Sequence, residues 1–426
     1  MKKSWINKVP PKKWMMCIVI ISIVTKVLAM IALQSWKFES DFHFAYESGE
    51  IGAALAMGKG YSWLEEREHH HSKPNEPTAW EVPVYPLIIA AVFKGFGIYS
   101  TSSAVVLIVF QIIISAMICW VLFSIGRYIF NDWAGVWAAL VFAFNPSAMH
   151  FVVQKIYTTP LYVLLLLLFV YQLLKIADVL SYKRSILTGL ICGLAILTVP
   201  VIIAFVPFAL GWLLYRGKGE RKSRWISVCL IVVAMCATLS PWEIRNYVIF
   251  DRFIPVRSNL GRELLLGSYG HEILDEITKK QLNTADEGKR TAIYEKTFSK
   301  ALRDAPEIFF LRVYERGTTF WTAMPRMDGP YAPKKGDMRE LVLGGYYLFT
   351  LVFGLAGLSI TRLKNIGVQL LALALVSLPI PFYLTWFSRF RYRFPVEMIL
   401  TILVGHSICF FWGLCRGRWR RSGSEA

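Results

Sequence analysis

The sequence predicts an all-α polytopic membrane protein, because of its composition and the spacing of its apolar runs. Of the 426 residues, 55% are hydrophobic and only 18% are charged, and the mean hydropathy is +0.46. Such values are typical of chains that cross a bilayer repeatedly, and one crossing needs roughly 17–25 apolar residues. The runs that meet this length are 14–33, 102–126, 134–151, 159–174, 185–200, 201–215, 225–241, 342–360, 366–386 and 395–414. We therefore expect about ten transmembrane helices.

The placement of basic residues predicts how the chain is oriented. A formal net charge of +18 would suggest nucleic acid as the partner of a soluble protein. Here the cations concentrate in the N-terminus, the 216–224 connection and the C-terminal tail, whereas residues 34–101 are acidic on balance. Cytoplasmic loops of membrane proteins carry this excess of Lys and Arg. We expect a multi-pass protein of the plasma (bacterial inner) membrane, with both termini cytoplasmic and no nucleic-acid partner.

Two long outer segments divide the chain into three regions. The first region, 1–241, is an N-terminal transmembrane module that contains the first outer loop, 34–101. The second, 242–341, is an extracytoplasmic segment of mixed structure with an interfacial helix. The third, 342–426, comprises the C-terminal transmembrane helices and a basic cytoplasmic tail. We expect the two outer segments to meet over a site that faces outside.

The outer segments contain several shorter predicted elements. Residues 83–97 are apolar but short, which favours an interfacial helix, with a short span as the alternative. The chain after 242 has the residue types of short extended pieces, with turns at Ser258-Asn259 and Gly267. Residues 275–303 are polar and predict a soluble helix pair. Residues 306–321 are amphipathic and predict a second interfacial helix.

Acidic residues crowd the stretch directly after the first predicted span. A helix beginning there would place His43, Glu47 and Glu50 on one face, since positions i, i+4 and i+7 align. Partial burial at a membrane interface would raise the pKa of such a carboxylate and suit it to act as a base. The alternative is structural: Asp41 caps the helix by accepting from the amide of Phe44.

The connection between the last two predicted spans carries three arginines on the outer side, against the usual charge rule. Arg389, Arg391 and Arg393 need an anionic partner there. A guanidinium group binds phosphate through paired donors, so a phosphate clamp is one interpretation. The alternative is contact with lipid headgroups, or pairing with carboxylates such as Glu39 or Glu397.

Other candidate ligand-binding groups give weaker signals. Lys155 is placed to reach lipid headgroups more readily than a substrate. His69, His70 and His71 are consecutive in a loop, which is poor ligand geometry, so we predict no metal site and no cofactor; a divalent metal remains an unsupported alternative. The sequence contains no Walker loop, dinucleotide fingerprint or nucleophile elbow, so a soluble nucleotide-sugar donor has no visible cradle.

Four stretches together carry a family resemblance. In chain order they are SDFHFAYESGEIGAALAMGKGYS, PTAWEVPVYPLIIAAVFKGFG, PWEIRNYVIFDRFIPVRSNLGRELLLG and RYRFP. An acid just after the first span, followed by an amphipathic segment that ends in Gly-x-Gly-aromatic, resembles the GT-C superfamily of membrane glycosyltransferases. The chain looks closest to the bacterial relatives of the protein O-mannosyltransferases.

The resemblance implies an inverting glycosyltransferase. Its donor would be a sugar on a polyprenyl phosphate, and its acceptor an extracytoplasmic protein, lipid or cell-envelope polymer. By position, Asp41 matches the superfamily's first-loop catalytic acid, and Arg391 to Arg393 match its phosphate-side motif. One departure is that Thr158-Thr159 stand where relatives often carry an acid. We therefore take Glu47 as the second catalytic acid.

The remaining site predictions concern the leaving phosphate and the substrate. Arginines near a departing phosphate stabilise its growing charge. The predicted substrate- or phosphate-binding residues are His43, Tyr61, Arg245, Arg257, Arg389, Arg391 and Arg393. Two other functions stay open at this point, a transporter or flippase and a non-catalytic lipid-binding scaffold. Charges crowded at one membrane face, with few inside the predicted spans, favour catalysis at the interface.

Overall fold

The computed structural model is a bundle of helices, which confirms the predicted all-α polytopic fold. It describes residues 11–38, 40–66, 72–322, 338–361, 365–385 and 390–422. Within those ranges there is no strand, and the β-type pairing is an isolated bridge between Ser62 and Pro77. Glu39, His69 to His71 and Arg389 lie outside the described residues.

The helices are numbered along the chain. They are α1 Pro11–Ala32, α2 Asp41–Ala56, α3 Val84–Phe96, α4 Thr101–Ile129, α5 Asp132–Ala143, α6 Pro146–Met149, α7 Thr159–Asp178, α8 Tyr182–Ile196, α9 Val206–Arg216, α10 Arg221–Phe250, α11 Leu260–Tyr269, α12 Glu276–Thr284, α13 Glu287–Asp304, α14 Pro306–Trp321, α15 Met338–Thr361, α16 Ile366–Ser377, α17 Ile380–Thr385 and α18 Phe390–Ser422. A π-helical turn, His150–Gln154, continues α6.

Seven helical stretches in the described part of the chain are long and apolar enough to cross a membrane. They are α1, α4, α7, α10, α15, α16 with α17, and α18. The bent pair of α5 with α6 and its π-helical turn, which meet at 52°, gives an eighth if it counts as one span. The protein is therefore a multi-pass membrane protein.

The prediction of about ten spans exceeds this number at 185–200 and 201–215. There α8 has 15 residues and α9 has 11, separated by a 3-10 turn that begins at Pro200. At 1.5 Å per residue these helices are about 22 and 16 Å long, short of the ~30 Å hydrocarbon layer. The proline has no amide to donate and divides one long apolar run into two short helices.

The bundle packs closely where glycine removes side-chain bulk. A Cβ at Gly189 of α8 would collide with the backbone oxygen of Ile231 in α10, and one at Gly193 would lie 2.5 Å from the Cβ of Thr238. This small-residue seam lets two backbones approach within the membrane. The largest apolar core lies deeper, among α4, α5, α7 and α18.

The outer segment is more helical than predicted. Extended pieces after 242 are wrong at 242–250, where α10 runs on past Pro241, and at α11. The helical periodicity is visible in hindsight, because Trp242 and Asn246 lie one turn apart and both are buried. Trp242 Nε1 donates to the Val256 carbonyl at 2.7 Å, and Asn246 Nδ2 donates to the Ile254 carbonyl at 3.0 Å. These bonds fasten the returning chain onto the helix.

The other predicted outer helices are confirmed as helices. The polar pair at 275–303 is α12 and α13, and the amphipathic stretch is α14. A small apolar core shared by α11, α12 and α13 includes Leu265, Leu282 and Tyr294. In the first outer loop, α3 packs against α2 so tightly that a Cβ at Gly52 would lie 2.7 Å from Ile89. The interfacial placement of α3 and α14 stays a prediction.

Candidate active site

Four charged side chains from separate parts of the chain interact at one end of the bundle. Glu47 comes from α2, Glu81 from the first outer loop, Arg257 from the outer segment and Arg391 from the start of α18. Burial raises the pKa of the Glu81 carboxyl above its ordinary value of 4.5; Arg257 lowers the pKa, Glu47 raises it and Arg391 lowers it. We call these four residues the outer site. It combines two carboxylates with two guanidinium groups.

The helix that carries Glu47 begins at Asp41, as predicted, but its cap is the preceding residue. Ser40 Oγ accepts from the His43 amide and lies 2.8 Å from His43 Nδ1. The alternative in which Asp41 is the cap is therefore wrong. Asp41 sits exposed in the first helical turn, where the helix dipole stabilises a carboxylate. It makes no hydrogen bond or ion pair with a residue in the described part of the chain.

A backbone break changes the direction of this helix after one turn. Ala45 has φ −154° and ψ 21°, and Tyr46 has φ 54° and ψ −143°. The break separates His43 from Glu47 and Glu50, so the single face predicted for these three side chains is wrong. A tyrosine at positive φ costs about 1–3 kcal/mol and persists only where its surroundings hold it.

The two glutamates after the break have different environments. Glu50 is 3% exposed, and its Oε1 accepts from the amides of Leu64 and Glu65 at 3.0 and 2.9 Å. It therefore organises the first outer loop. Glu47 is half-buried and interacts with Glu81 and Arg391 instead.

Aromatic rings and a lysine hold the strained tyrosine. Tyr46 stacks on Tyr157 with ring centroids 5.3 Å apart and planes 11° from parallel. Lys155 Nζ donates to the Tyr46 hydroxyl at 3.3 Å, so this lysine points into the cluster. On the other side, the Arg391 guanidinium lies 5.8 Å from the Tyr157 ring and 5.0 Å from the Tyr392 ring. Cation–π contacts of this kind stabilise a cation without neutralising it.

Arg391 and Arg393 have different partners, although one residue separates them. Arg391 is half-buried and donates to the Tyr392 hydroxyl at 3.0 Å. Among the described residues, its buried Nε has no acceptor. Arg393 is 1% exposed, donates to the Thr322 carbonyl and lies 4.3 Å from the Tyr347 ring. The third predicted arginine, Arg389, is not among the described residues.

Arg245 and Tyr61 connect the outer segment to the first outer loop. Arg245 donates to the carbonyls of Thr78 at 2.7 Å and Tyr61 at 3.1 Å. Its guanidinium lies 5.3 Å from the Tyr61 ring and 5.0 Å from the Trp242 ring. The Tyr61 hydroxyl donates to the Glu81 carbonyl at 2.9 Å. Both side chains thus shape the loop that carries Glu81.

Arg257 forms the most direct contact with Glu81. Its Nε donates to the Trp80 carbonyl at 2.6 Å, and its guanidinium pairs with Glu81 Oε1 at 2.5 Å. The two side chains are 25% and 16% exposed. Sequence reasoning proposed Arg257 and missed Glu81. The available signal was a single acid within the largely apolar stretch PTAWEVPVYP, which contains three prolines.

The fold and this site define a class: a polytopic helical protein with a cluster of acidic and basic side chains at one end of its helix bundle. Residues 74–242 match the model of the family described as dolichyl-phosphate-mannose-protein mannosyltransferase. Comparison with curated protein sequences finds no significant match.

Solved structures give a similar result over nearly the whole chain. The oligosaccharyltransferase AglB from Archaeoglobus fulgidus, in complex with an inhibitory peptide and a dolichol-phosphate, has a TM-score of 0.57 at 16% identity, covering 98% of this chain and 52% of that chain. Its apo form gives 0.56 at 13% identity, with 98% and 53% covered. ArnT from Cupriavidus metallidurans, bound to undecaprenyl phosphate, gives 0.42 at 12% identity, with 91% and 77% covered.

These findings confirm the resemblance to the GT-C superfamily of membrane glycosyltransferases. At this level of identity the AglB likeness shows the fold alone. The chain spans about half the length of the AglB structures that it matches.

Proposed function

We propose that the protein is an inverting glycosyltransferase that moves a sugar from a polyprenyl-phosphate donor to an extracytoplasmic acceptor. The observation that carries this proposal is the outer site, in which carboxylates and arginines from α2, the first outer loop, the outer segment and α18 converge. The mannosyltransferase family match, which includes Glu81, supports it. So does the dolichol-phosphate and peptide complex of AglB, whose fold this chain shares.

The proposed reaction is a single displacement. An oxygen or nitrogen of the acceptor attacks the anomeric carbon of the sugar and loses its proton to a carboxylate. The bond between that carbon and the phosphate oxygen breaks, so the phosphodiester of the donor becomes a monoester, and polyprenyl phosphate leaves with the bonding electron pair. One displacement inverts the anomeric configuration. General-base help of this kind contributes typically 10²–10⁴-fold to a rate.

Two carboxylates of α2 are candidates for the base. Asp41 is exposed and bonded to no described residue, so an incoming acceptor can reach it. Glu47 is half-buried and interacts electrostatically with Glu81 and Arg391. We assign the base to Asp41 first, as the superfamily resemblance implies, and keep Glu47 as the second acid.

Arg391 is the proposed contact for the leaving phosphate. It is held by tyrosine rings and not by a described carboxylate ion pair, and its Nε has no acceptor in the described part of the chain. A guanidinium group with unused N–H donors can form hydrogen bonds to two phosphate oxygens. Arg245 and Arg257 already donate to carbonyls of the first outer loop, so we propose that they shape the site around the phosphate. Arg393 donates to the Thr322 carbonyl, and we propose that it holds α18 in place.

The proposed setting is the outer face of a bacterial inner membrane, with both termini in the cytoplasm. The asymmetric distribution of Lys and Arg supports this orientation. The polyprenyl chain needs only an apolar groove between helices. The donor sugar is left open, and no cofactor takes part in the proposed step.

The test is a transfer assay with purified protein in lipid, a polyprenyl-phosphate sugar and a membrane extract as acceptor source. We expect wild type to release free polyprenyl phosphate, and Asp41→Asn to lose at least about 100-fold of that rate. Glu276→Gln is the matched control, because this acid of α12 has a side chain that is 90% exposed.

Each other outcome has a defined meaning. Equal release by wild type and Asp41→Asn would rule out Asp41 as the base and point to Glu47→Gln as the next variant. No release by wild type, together with no binding of the donor, would favour a transporter or a non-catalytic scaffold.

A further inference from the structure

The backbone that leads into Glu81 depends on distant parts of the chain. Apart from the bridge between Ser62 and Pro77, residues 76–81 have no regular pairing in the described structure. The Ala79 amide donates to Glu287 Oε1 at 2.6 Å, across 208 residues. The Ala79 carbonyl accepts from the Ser258 amide at 3.0 Å. The outer segment thus fixes the conformation of this short stretch.

Glu287 is at the centre of these bonds. It is the first residue of α13, is 4% exposed, and uses the same Oε1 to accept from the Ser258 hydroxyl at 2.7 Å. A carboxylate in the first turn is favoured by the helix dipole. One turn later, Arg290 pairs with Glu76 at 2.6 Å, and these side chains are 4% and 13% exposed. Arg290 therefore holds the stretch at Glu76 and Glu287 holds it at Ala79; we call these two residues the α13 clamp.

We propose that Glu287 is a positioning residue: by holding Ala79 it sets the place of Glu81 in the outer site. Its catalytic consequence rests on the proposed function, whereas the mechanical part does not. Arg257 donates to the Trp80 carbonyl and pairs with Glu81, so a shift at Ala79 moves both partners of that ion pair. The outer segment thereby assembles the site as well as covering it.

Hydrogen exchange of the full-length protein in detergent tests the mechanical part. In Glu287→Ala, the amides of 76–81 should exchange about tenfold faster or more, because the acceptor of a buried charge-assisted bond is gone. Glu287→Gln should restore most of the protection, since its amide oxygen can accept both bonds and burial already raises the pKa of Glu287. Glu276→Ala on α12 is the control. Unchanged exchange in folded Glu287→Ala would overturn the clamp.

Transfer kinetics test the catalytic part. Glu287→Ala should lower kcat about tenfold with little change in the KM for donor, and Glu287→Gln should recover most of the loss. In a Glu81→Gln background, Glu287→Ala should have little further effect, because a residue that acts through Glu81 has nothing left to position. Faster exchange with unchanged kcat, or fully additive losses, would overturn the positioning role.

A second variant and a second measurement separate a folding failure of Glu287→Ala from a failure of either proposal. If Glu287→Ala does not fold, Arg290→Gln removes the bond to Glu76 and should accelerate exchange at the other end of the same stretch; no acceleration would overturn the clamp. If wild type transfers no sugar from any polyprenyl-phosphate donor, the proposed function fails, and the exchange measurement still decides whether Glu287 holds Ala79.

Discussion

The first turn of α18 contributes to two charged regions of opposite character. In the outer site, Arg391 is half-buried, stacked on tyrosines and left with an unpaired Nε in the described structure. In the second region, Arg393 and Glu397 are 1% and 0% exposed and interact electrostatically one turn apart on α18, where Glu397 also interacts with Ser147 and Asn145. The first region keeps donors available for a ligand. The second uses its charges to tie α18 to its neighbours.

Arginines that are close in sequence can therefore serve the fold and the ligand separately. Burial with protein acceptors makes Arg393 a structural cation, since removing one member of a buried pair leaves an uncompensated charge. Arg391 is only partly buried. One side of its guanidinium group lies against tyrosine rings, and the group stays charged and accessible to a ligand on the other side.

The largest expected effect is the loss of transfer in Arg391→Ala. Removing a group that stabilises the leaving phosphate should lower kcat about 10²–10³-fold, and Arg391→Lys should recover only part of it, because lysine lacks paired planar donors. The measurement is release of polyprenyl phosphate. Arg252→Ala is the control, since Arg252 pairs with Glu295 on the outer segment away from the site. A wild-type rate in Arg391→Ala would show that Arg391, like Arg393, does not contact the leaving phosphate.

Arg393→Ala should instead damage the fold. Without Arg393 the buried Glu397 carboxylate has lost its compensating cation, which should lower the free energy of unfolding by about 3–5 kcal/mol. The double substitution Arg393→Met with Glu397→Leu should recover most of this loss. Thermal unfolding in detergent measures both. The fraction of Arg393→Ala that folds should bind donor nearly as well as wild type. A selective loss of donor affinity at unchanged stability would move Arg393 into the outer site.

The third prediction concerns pH and Glu81. Its pKa is raised in the folded protein above the ordinary 4.5, so the folded state holds the proton to higher pH than the unfolded state. Stability from this group therefore falls as pH rises from about 4.5 to the folded pKa. The melting temperature of Glu81→Gln relative to wild type should rise over that window and then level off. A difference that shrinks as pH rises would show that Arg257 and Arg391 outweigh burial.

The smallest expected effect is that of Tyr46→Phe. Phenylalanine keeps the stack on Tyr157 and removes only the hydroxyl that accepts from Lys155. A net hydrogen bond is worth about 1 kcal/mol, so we expect a change of about fivefold in donor KM with little change in kcat. Steady-state kinetics with varied donor provide the measurement. A loss as large as that of Arg391→Ala would mean that the hydroxyl itself contacts the substrate.

Hydropathy alone was sufficient for the membrane helices and for α12, α13 and α14, because span length and amphipathic period are local properties. It wrongly predicted two membrane spans around Pro200, where the proline divides one apolar run into the short helices α8 and α9. It also missed the continuation of α10 past Pro241, where aromatic and β-branched residues have strand-like propensity but pack on a helix.

The site was only partly predictable, since it is built by contacts between distant residues. Glu47, Arg257 and Arg391 were proposed from residue type and are brought together by the fold. Glu81 was missed because its role depends on the ion pair with Arg257, which lies 176 residues further along the chain. The break at Tyr46 has no local signature, as its positive φ is imposed by partners such as Tyr157.

The stoichiometry and stereochemistry of one turnover would decide whether the protein is an inverting glycosyltransferase. Purified protein in lipid would receive a polyprenyl-phosphate sugar and acceptor, and both products would be measured, with the anomeric configuration read by NMR. We expect one polyprenyl phosphate released for each sugar transferred, with inversion, and both products formed about 10²–10³-fold more slowly by Arg391→Ala. Transfer with retention, or undiminished turnover in Arg391→Ala, would contradict it.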